Sequence, residues 1–354
     1  MSSIAIVYGT RPEAIKLAPL VKELRTGGGP HEIICTGQHS TLLQACPLPY
    51  DAHFELMEPD QTPAEFVARA LVTLTDYWQS ARPSRVVVQG DTATAFAATL
   101  AAFHLAVPVA HVEAGLRSGD MRAPFPEEGY RILIDHMADR HYAATEQNAA
   151  NLLREGIAAE QILITGNTGV DAALAAAKRA GLNLAQTHAP YVLVTLHRRE
   201  AFGEPMRQVC RAIKQLAQDM DLVFFVTLHP NPNAGVLLKQ ELGAAGNVFL
   251  IDPLPYDDLI ATLRGAWAVL TDSGGIQEEA PAFGIPVLVA RQTTERREAI
   301  DVGAAELVGY DTAAIVAAVQ RLRRDPALYG QMAQVRAIFG DGLAAERIGA
   351  DLRS

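Results

Sequence analysis

The residues from Arg85 to Arg131 constrain the fold of this chain more than any other stretch. Val86, Val87 and Val88 make a short β-branched run, Thr92 to Leu105 an Ala-rich segment of helical character, and Val107 to Val112 a second apolar run. A strand, a crossover helix and another strand at this spacing form a parallel βαβ unit, whose strands are buried on both faces. In an open α/β sheet the binding crevice lies outside the carboxyl ends of the strands. Asp91 and Glu113 follow two successive strands at that edge. Glu127 and Glu128 close the same segment, with His111 and Arg117 between, so several acidic and basic groups gather where a reaction would sit.

The same alternation runs through the chain. Further strands are expected at Ile4 to Tyr8, Glu32 to Cys35 and Gln161 to Ile164. An Ala-rich helix after Gly166-Asn167-Thr168 leads into the polar stretch GLNLAQTHAP, and the pattern restarts at Tyr191 to Thr195. Strands follow at Leu222 to Thr227, Val248 to Ile251, Trp267 to Leu270 and Pro286 to Val289. The reading is an α/β chain of two Rossmann-like doubly wound domains facing each other across a cleft. The first domain is assigned to 1–168 and the second to 169–341, with a helix in 342–354 packing back on the first.

A chain of 354 residues has room for two such cores. Thirty Lys and Arg against forty Asp and Glu give a net charge of −10, which argues against a general surface for nucleic acid or an anionic membrane. A phosphate ligand would need a local site. Three cysteines, widely spaced, suggest neither a disulfide framework nor a zinc site, and no metal is expected. The apolar run before Gly9 is too short for a secretory signal, and no run approaches the ~20 apolar residues that span a bilayer. The expectation is a cytoplasmic protein.

The first strand runs straight into Gly9-Thr10-Arg11-Pro12-Glu13, a tight turn that opens a helix carrying Arg11 and, one turn later, Lys16. Two cations at a helix amino end suit a diphosphate. After the strand ending at Leu270 comes Thr271-Asp272-Ser273-Gly274-Gly275, where Ser273 and two glycines let backbone amides approach a phosphate, and Glu279 is placed to accept from ribose hydroxyls. His197, Arg198 and Arg199 follow another strand, Arg296 closes Thr-Thr-Glu-Arg, and His229 opens a Pro-rich loop. Neither G-x-G-x-x-G nor G-x-x-x-x-G-K-[ST] occurs, so no motif points to a dinucleotide cofactor or a P-loop.

Together these segments resemble the non-hydrolysing UDP-N-acetylglucosamine 2-epimerases, a family with the GT-B fold. GTRPEAIK at Gly9 to Lys16, QGDT at Gln89 to Thr92, HVEAGLRSGD at His111 to Asp120 and PFPEE at Pro124 to Glu128 carry the resemblance in the first half. ITGNT at Ile164 to Thr168, HRRE at His197 to Glu200, TDSGGIQEEAP at Thr271 to Pro281 and TTER at Thr293 to Arg296 carry it through the rest of the chain, in the family's order.

The resemblance implies reversible inversion at carbon 2 of UDP-GlcNAc to give UDP-ManNAc, without a cofactor, in a homodimer that supplies ManNAc for cell-surface polysaccharide. It implies loss of UDP to 2-acetamidoglucal, then re-addition with the proton delivered to the other face. Asp91, Glu113 and Glu127 would be the acid/base groups, with His197 and Lys16 beside them. Glu127 is preferred to Glu128 as the first acid after the aromatic-proline pair, and the assignment of carboxylates to faces stays open. Arg11, Lys16, His197, Ser273, Gly274, Gly275, Glu279 and Arg296 would hold UDP. Bacterial members bind a second UDP-GlcNAc as activator, and Gln38, Arg198 and His229 match that site. The chain departs from the family pattern at Ser40 and Asp60, where basic residues are usual, and at Leu196 and Arg297. The alternatives are a hydrolysing relative releasing ManNAc and UDP, a GT-B glycosyltransferase, and a UDP-sugar sensor.

Overall fold

The central apolar runs become strands because they are buried on two sides. In the computed structural model, which describes residues 3–38, 48–179, 189–198, 201–228, 232–243 and 245–354, the chain divides into two units. Met1–Ala172 with Phe339–Ser354 forms the first and Ala173–Ile338 the second. The first therefore keeps four residues beyond Thr168. It does so because Val170 and Ala172 are buried and Asp171 accepts from the backbone N–H of Ala345 at 2.8 Å.

The first unit holds β1 (Ile4–Tyr8), β2 (His31–Cys35), β3 (Ala52–His53), β4 (Arg85–Gln89), β5 (Val109–Ala114), β6 (Arg140–Ala143) and β7 (Ile162–Ile164). Its described ladders are all parallel, in the order β3-β2-β1-β4-β5-β6-β7. Side chains alternate between two cores. Ile6, Tyr8 and Val87 pack on one face with Leu17, Leu20 and Leu24 of the helix Arg11–Thr26 and Ile348 of the helix Ala344–Arg353. Ala5, Val7, Val86 and Val88 pack on the other with Leu74 and Trp78 of the helix Pro63–Ser80 and the alanines of the helix Ala93–His104. Burial of both faces removes the polar half of the usual alternation, hence the unbroken Val86-Val87-Val88.

The second unit holds β8 (Tyr191–Thr195), β9 (Val223–Thr227), β10 (Val248–Ile251), β11 (Ala268–Thr271), β12 (Val287–Val289) and β13 (Ala305–Leu307), in the order β10-β9-β8-β11-β12-β13. Both orders are doubly wound, and both reverse direction beside their first strand: between β1 and β4, and between β8 and β11. The loops after those strands are the ones an open sheet offers to a ligand. They are Gly9-Thr10-Arg11 and Gly90-Asp91 in the first unit, and Leu196-His197-Arg198 and Asp272-Ser273-Gly274 in the second.

Candidate active site

At the carboxyl edge of the first sheet the sequence is forced into tight turns. A Cβ on Gly9 would stand 2.1 Å from Thr94 Oγ1 and 2.4 Å from Thr36 Oγ1, so only glycine fits where β1 turns into its helix. Thr10 caps that helix, and Glu13 completes a capping box. The buried Glu13 carboxylate also accepts from Thr92 Oγ1 at 2.6 Å and so ties the turn after β1 to the turn after β4. Burial pushes its carboxyl up to about 7 against the pull of its bonds from Thr92 and Thr10. Thr92, not Asp91, caps the helix Ala93–His104, by accepting from the N–H of Ala95 at 3.0 Å.

Asp91 is thereby left to other partners. Arg131, itself buried, donates to Asp91 and also to Glu128 at 2.9 Å. Glu128 is buried and takes the N–H groups of Ser118 and Gly119 at 3.0 and 3.1 Å, so this carboxylate anchors a turn. Glu127, one residue earlier, is half-buried at the first position of the helix Glu127–Met137.

Glu113 sits on a β-bulge between Val112 and Ala114, with φ +72°. A left-handed backbone is costly for a residue with a Cβ, and such strain persists where the surroundings over-determine it. Here the carboxylate accepts from Lys16 Nζ at 2.6 Å, from Asn167 Nδ2 at 3.1 Å and from Gln89 Nε2. The bulge re-aims the side chain and the three donors hold it. Lys16 therefore lies against the Glu113 carboxylate, while Arg11 opens the same helix one turn earlier and is half-buried.

His111 and Arg117 serve the scaffold. His111 Nδ1 lies 2.6 Å from Asp135 Oδ1 and its Nε2 lies 2.8 Å from the Gly90 carbonyl oxygen, and Arg117 donates to Asp135 at 2.7 Å. Burial would raise the Asp135 carboxyl, but His111 and Arg117 outweigh it and hold it at about 2. Gln38 accepts from the N–H and hydroxyl of Thr94 at 3.1 and 2.8 Å. Asp60 lies in an exposed turn with φ 58°, a conformation that Asp tolerates better than most residues.

In the second unit the acids hold loops. Asp272, fully buried, accepts from the N–H groups of His197 at 2.9 Å and Arg198 at 2.9 Å, and from His197 Nδ1 at 3.1 Å. Burial opposes the charge, yet the His197 bonds and the two amides hold its carboxyl below the ordinary range. The His197 ring is exposed at the strand edge with Nδ1 turned toward Asp272. Ser273 stands at the amino end of the helix Gly274–Glu279 and its hydroxyl makes no capping bond. Gly274 packs against Arg296: a Cβ there would be 2.8 Å from the guanidinium carbon, so a larger residue would have to displace that side chain.

Arg296 is buried, paired with Glu278 at 2.8 Å and Glu295 at 3.4 Å, so its cation lies directly behind the glycine turn. Burial would raise Glu295, but Arg296, Arg291 and Arg198 hold it far below the usual carboxylate range. Glu279 accepts from the Tyr256 hydroxyl at 2.8 Å. His229 and Arg199 lie outside the described residues.

The sequence reading missed Glu13, Gln89, Arg131, Asn167, Tyr256, Asp272 and Glu278 as members of these networks. Glu13 carried a signal in Thr10-x-x-Glu13, the capping-box spacing. The others pair across the fold, over separations that no local spacing marks.

Residues 22–353 match the family model described as UDP-N-acetylglucosamine 2-epimerase. The UDP-N-acetylglucosamine 2-epimerase of Salmonella typhimurium is 41% identical over 99% of this chain and 98% of its own length. Among solved structures, the UDP-GlcNAc 2-epimerase of Neisseria meningitidis bound to UDP-GlcNAc is similar with a TM-score of 0.95 and 36% identity, covering 99% of both chains. That of Methanocaldococcus jannaschii in complex with UDP-GlcNAc and UDP has a TM-score of 0.87 and 32% identity, again over 99% of both. Two Rossmann-like doubly wound units of the GT-B class, matched in sequence from end to end, place the chain in the UDP-N-acetylglucosamine 2-epimerase family.

Proposed function

We propose that this chain, an isomerase of the UDP-N-acetylglucosamine 2-epimerase family, interconverts UDP-GlcNAc and UDP-ManNAc by eliminating UDP and adding it back. The hydrogen on carbon 2 has no adjacent carbonyl to acidify it, so direct removal is slow. When the bond from the anomeric carbon to the diphosphate oxygen breaks, its electron pair leaves with UDP, and positive charge at carbon 1 acidifies that hydrogen. A carboxylate takes the proton, the carbon–hydrogen electrons form the carbon 1–carbon 2 double bond, and 2-acetamidoglucal results. Reversal with the proton delivered to the opposite face inverts carbon 2.

This chemistry needs acid/base groups for both faces, each worth about 10²–10⁴ in rate, and fixed donors for the departing diphosphate. Asp91, Glu113 and Glu127 are assigned to the first need, with Lys16 beside Glu113. For the second we assign Ser273, Gly274 and Gly275 to the diphosphate, Glu279 to the ribose, and Arg11 and His197 as polar contacts to the nucleotide. Arg296 adds positive charge from behind Gly274. The observation that carries the reading is Glu113: a strained residue at a strand end, aimed by a bulge and held by Lys16, Asn167 and Gln89. UDP-GlcNAc bound in the Neisseria meningitidis relative supports the substrate.

Proton NMR with UDP-GlcNAc in deuterated water, without added NAD or metal, tests the proposal. UDP-ManNAc carrying deuterium at carbon 2 is the expected product. Free ManNAc would replace the reading with hydrolysis, and an unchanged substrate would move it to an acceptor-dependent transferase or a sensor. We also propose a cytoplasmic homodimer that supplies ManNAc for cell-surface polysaccharide. Sizing by light scattering checks the dimer, and initial rates against UDP-GlcNAc concentration check activation by a second substrate at Gln38, Arg198 and His229. Among the described residues no helix is long and apolar enough to cross a membrane.

A further inference from the structure

We propose that Asn167 is the positioning residue for Glu113, and that it sets this carboxylate from the place where the chain leaves and re-enters the first unit. Asn167 is buried, and three of its hydrogen bonds have distinct jobs. Its backbone N–H donates to the Phe339 carbonyl at 2.6 Å, its Oδ1 accepts from the N–H of Gly169 at 2.8 Å, and its Nδ2 donates to Glu113 Oε1 at 3.1 Å.

The bond to Phe339 belongs to a close crossing of two backbones. Gly166 (φ +86°) and Gly340 (φ +143°) lie face to face there. A Cβ on Gly166 would stand 3.0 Å from Gly340 Cα, and one on Gly340 would stand 3.1 Å from Asn167 N. The chain passes out of the first unit after Ala172 and returns at Phe339, so the crossing binds the outgoing and returning segments together. Asn167 connects that crossing to the carboxylate.

Lys16 shares Glu113 Oε1 with Asn167, but an ammonium on a flexible stem fixes a distance more than an orientation. The amide of Asn167 is locked at its own Oδ1 by Gly169, so its N–H fixes the plane of the carboxylate as well. The inference rests on Glu113 being an acid/base group of the epimerisation.

The test is a double-mutant cycle between Asn167 and Glu113, in protein that has kept its thermal midpoint. Asn167→Ala removes the donor without adding charge, and Asn167→Asp keeps an acceptor for Gly169 while losing the donor. Each should lower kcat by about 10–100-fold, the scale of a small misplacement of a reacting group. KM for UDP-GlcNAc and Kd for UDP should stay within about two-fold of the parent, as for a loss confined to the transition state. In the Glu113→Gln background either change should add little, because the group it positions is gone.

Equal losses in both backgrounds, a parent-like kcat, or a loss confined to KM would each overturn the proposal. Near-normal turnover by Glu113→Gln alone would instead refute the role of Glu113, and that single variant tells the two failures apart. If Asn167→Ala fails to fold, Asn167→Ser, which adds no charge beside Glu113, carries the same reading. Gly340→Ala, which presses on Asn167 N without touching the carboxylate, should lower kcat in the same way, and an unchanged kcat would remove the link to the crossing.

Discussion

Asp91 and Glu113, at the edge of the first sheet, accept from side chains, Arg131 and Lys16. Asp272, at the matching edge of the second, accepts from the backbone N–H groups of His197 and Arg198. A carboxylate held by side-chain donors is aimed by the packing of distant parts of the chain. One saturated by amides in a dry site is fixed in its ionised form and holds loops in place. On the proposed function, the same doubly wound frame carries proton-transfer groups in one unit and an anion-receiving turn in the other. The difference lies in a few residues after the strands, not in the sheets.

The largest expected effect tests the first half of that contrast. Glu113→Gln or Asp91→Asn should cut turnover by about 10²–10⁴ while leaving UDP affinity unchanged, read by NMR rates and titration calorimetry. A loss of UDP affinity with normal turnover would break the division between the units.

The next contrast is between an acid kept neutral and one kept ionised. Glu13 is raised to about 7 from an ordinary 4.5, so between those values the native protein holds a proton that the unfolded chain has released. Its contribution to stability is whole below 4.5 and is lost as pH rises through about 7. Glu13→Gln should remove that dependence, gaining up to ~3 kcal/mol on the parent across the window in urea unfolding. Asp272 is shifted the other way, so its contribution is present above the ordinary carboxylate range and fades as pH falls. The Asp272→Asn variant should therefore differ most from the parent at neutral pH, and a difference growing toward acid would reverse the assignment.

Smaller again is Arg296→Lys, which keeps the charge but loses the planar fork that meets Glu278 and lies against Gly274. UDP affinity should fall roughly ten-fold, about 1.4 kcal/mol, with the rate at saturating substrate little changed. Smallest is Asp257→Asn, which breaks an exposed pair with Arg179 at 2.7 Å and should cost less than about 1 kcal/mol with neither rate nor affinity altered.

What the sequence disclosed follows from where its information is local. Val86 to Val88 and Tyr191 to Thr195 announce strands because burial on both faces demands β-branched and apolar residues in a run. Arg140 to Ala143, reading RHYA, does not, since Arg140 is spent on Asp351 and His141 on the Asp135 carbonyl, and β6 went unread. Ala52–His53 and Ala305–Leu307 are too short to signal. The strand expected from Val107 begins at Val109 and runs to Ala114, because the bulge at Glu113 lets pairing with β6 resume beyond it. The glycine turns at Gly9 and Gly274 were legible as turns, but not what they admit, which is a pair of threonine hydroxyls in one case and a guanidinium in the other. Partnerships such as Arg131 with Asp91 or Asp272 with His197 appear only once the strands are laid side by side.

The return of Phe339–Ser354 to the first unit fixes an order of events in synthesis. The helix Ala344–Arg353 lays Ala345 and Ile348 on the core beneath Arg11–Thr26, and its Asp351 takes the Tyr142 hydroxyl at 2.9 Å. Every residue of the second unit leaves the ribosome before that helix does. The unit whose residues come first is therefore the last to be finished. Until then it carries an open apolar seam along β1 and its helix, the part of the nascent chain that most needs protection from aggregation.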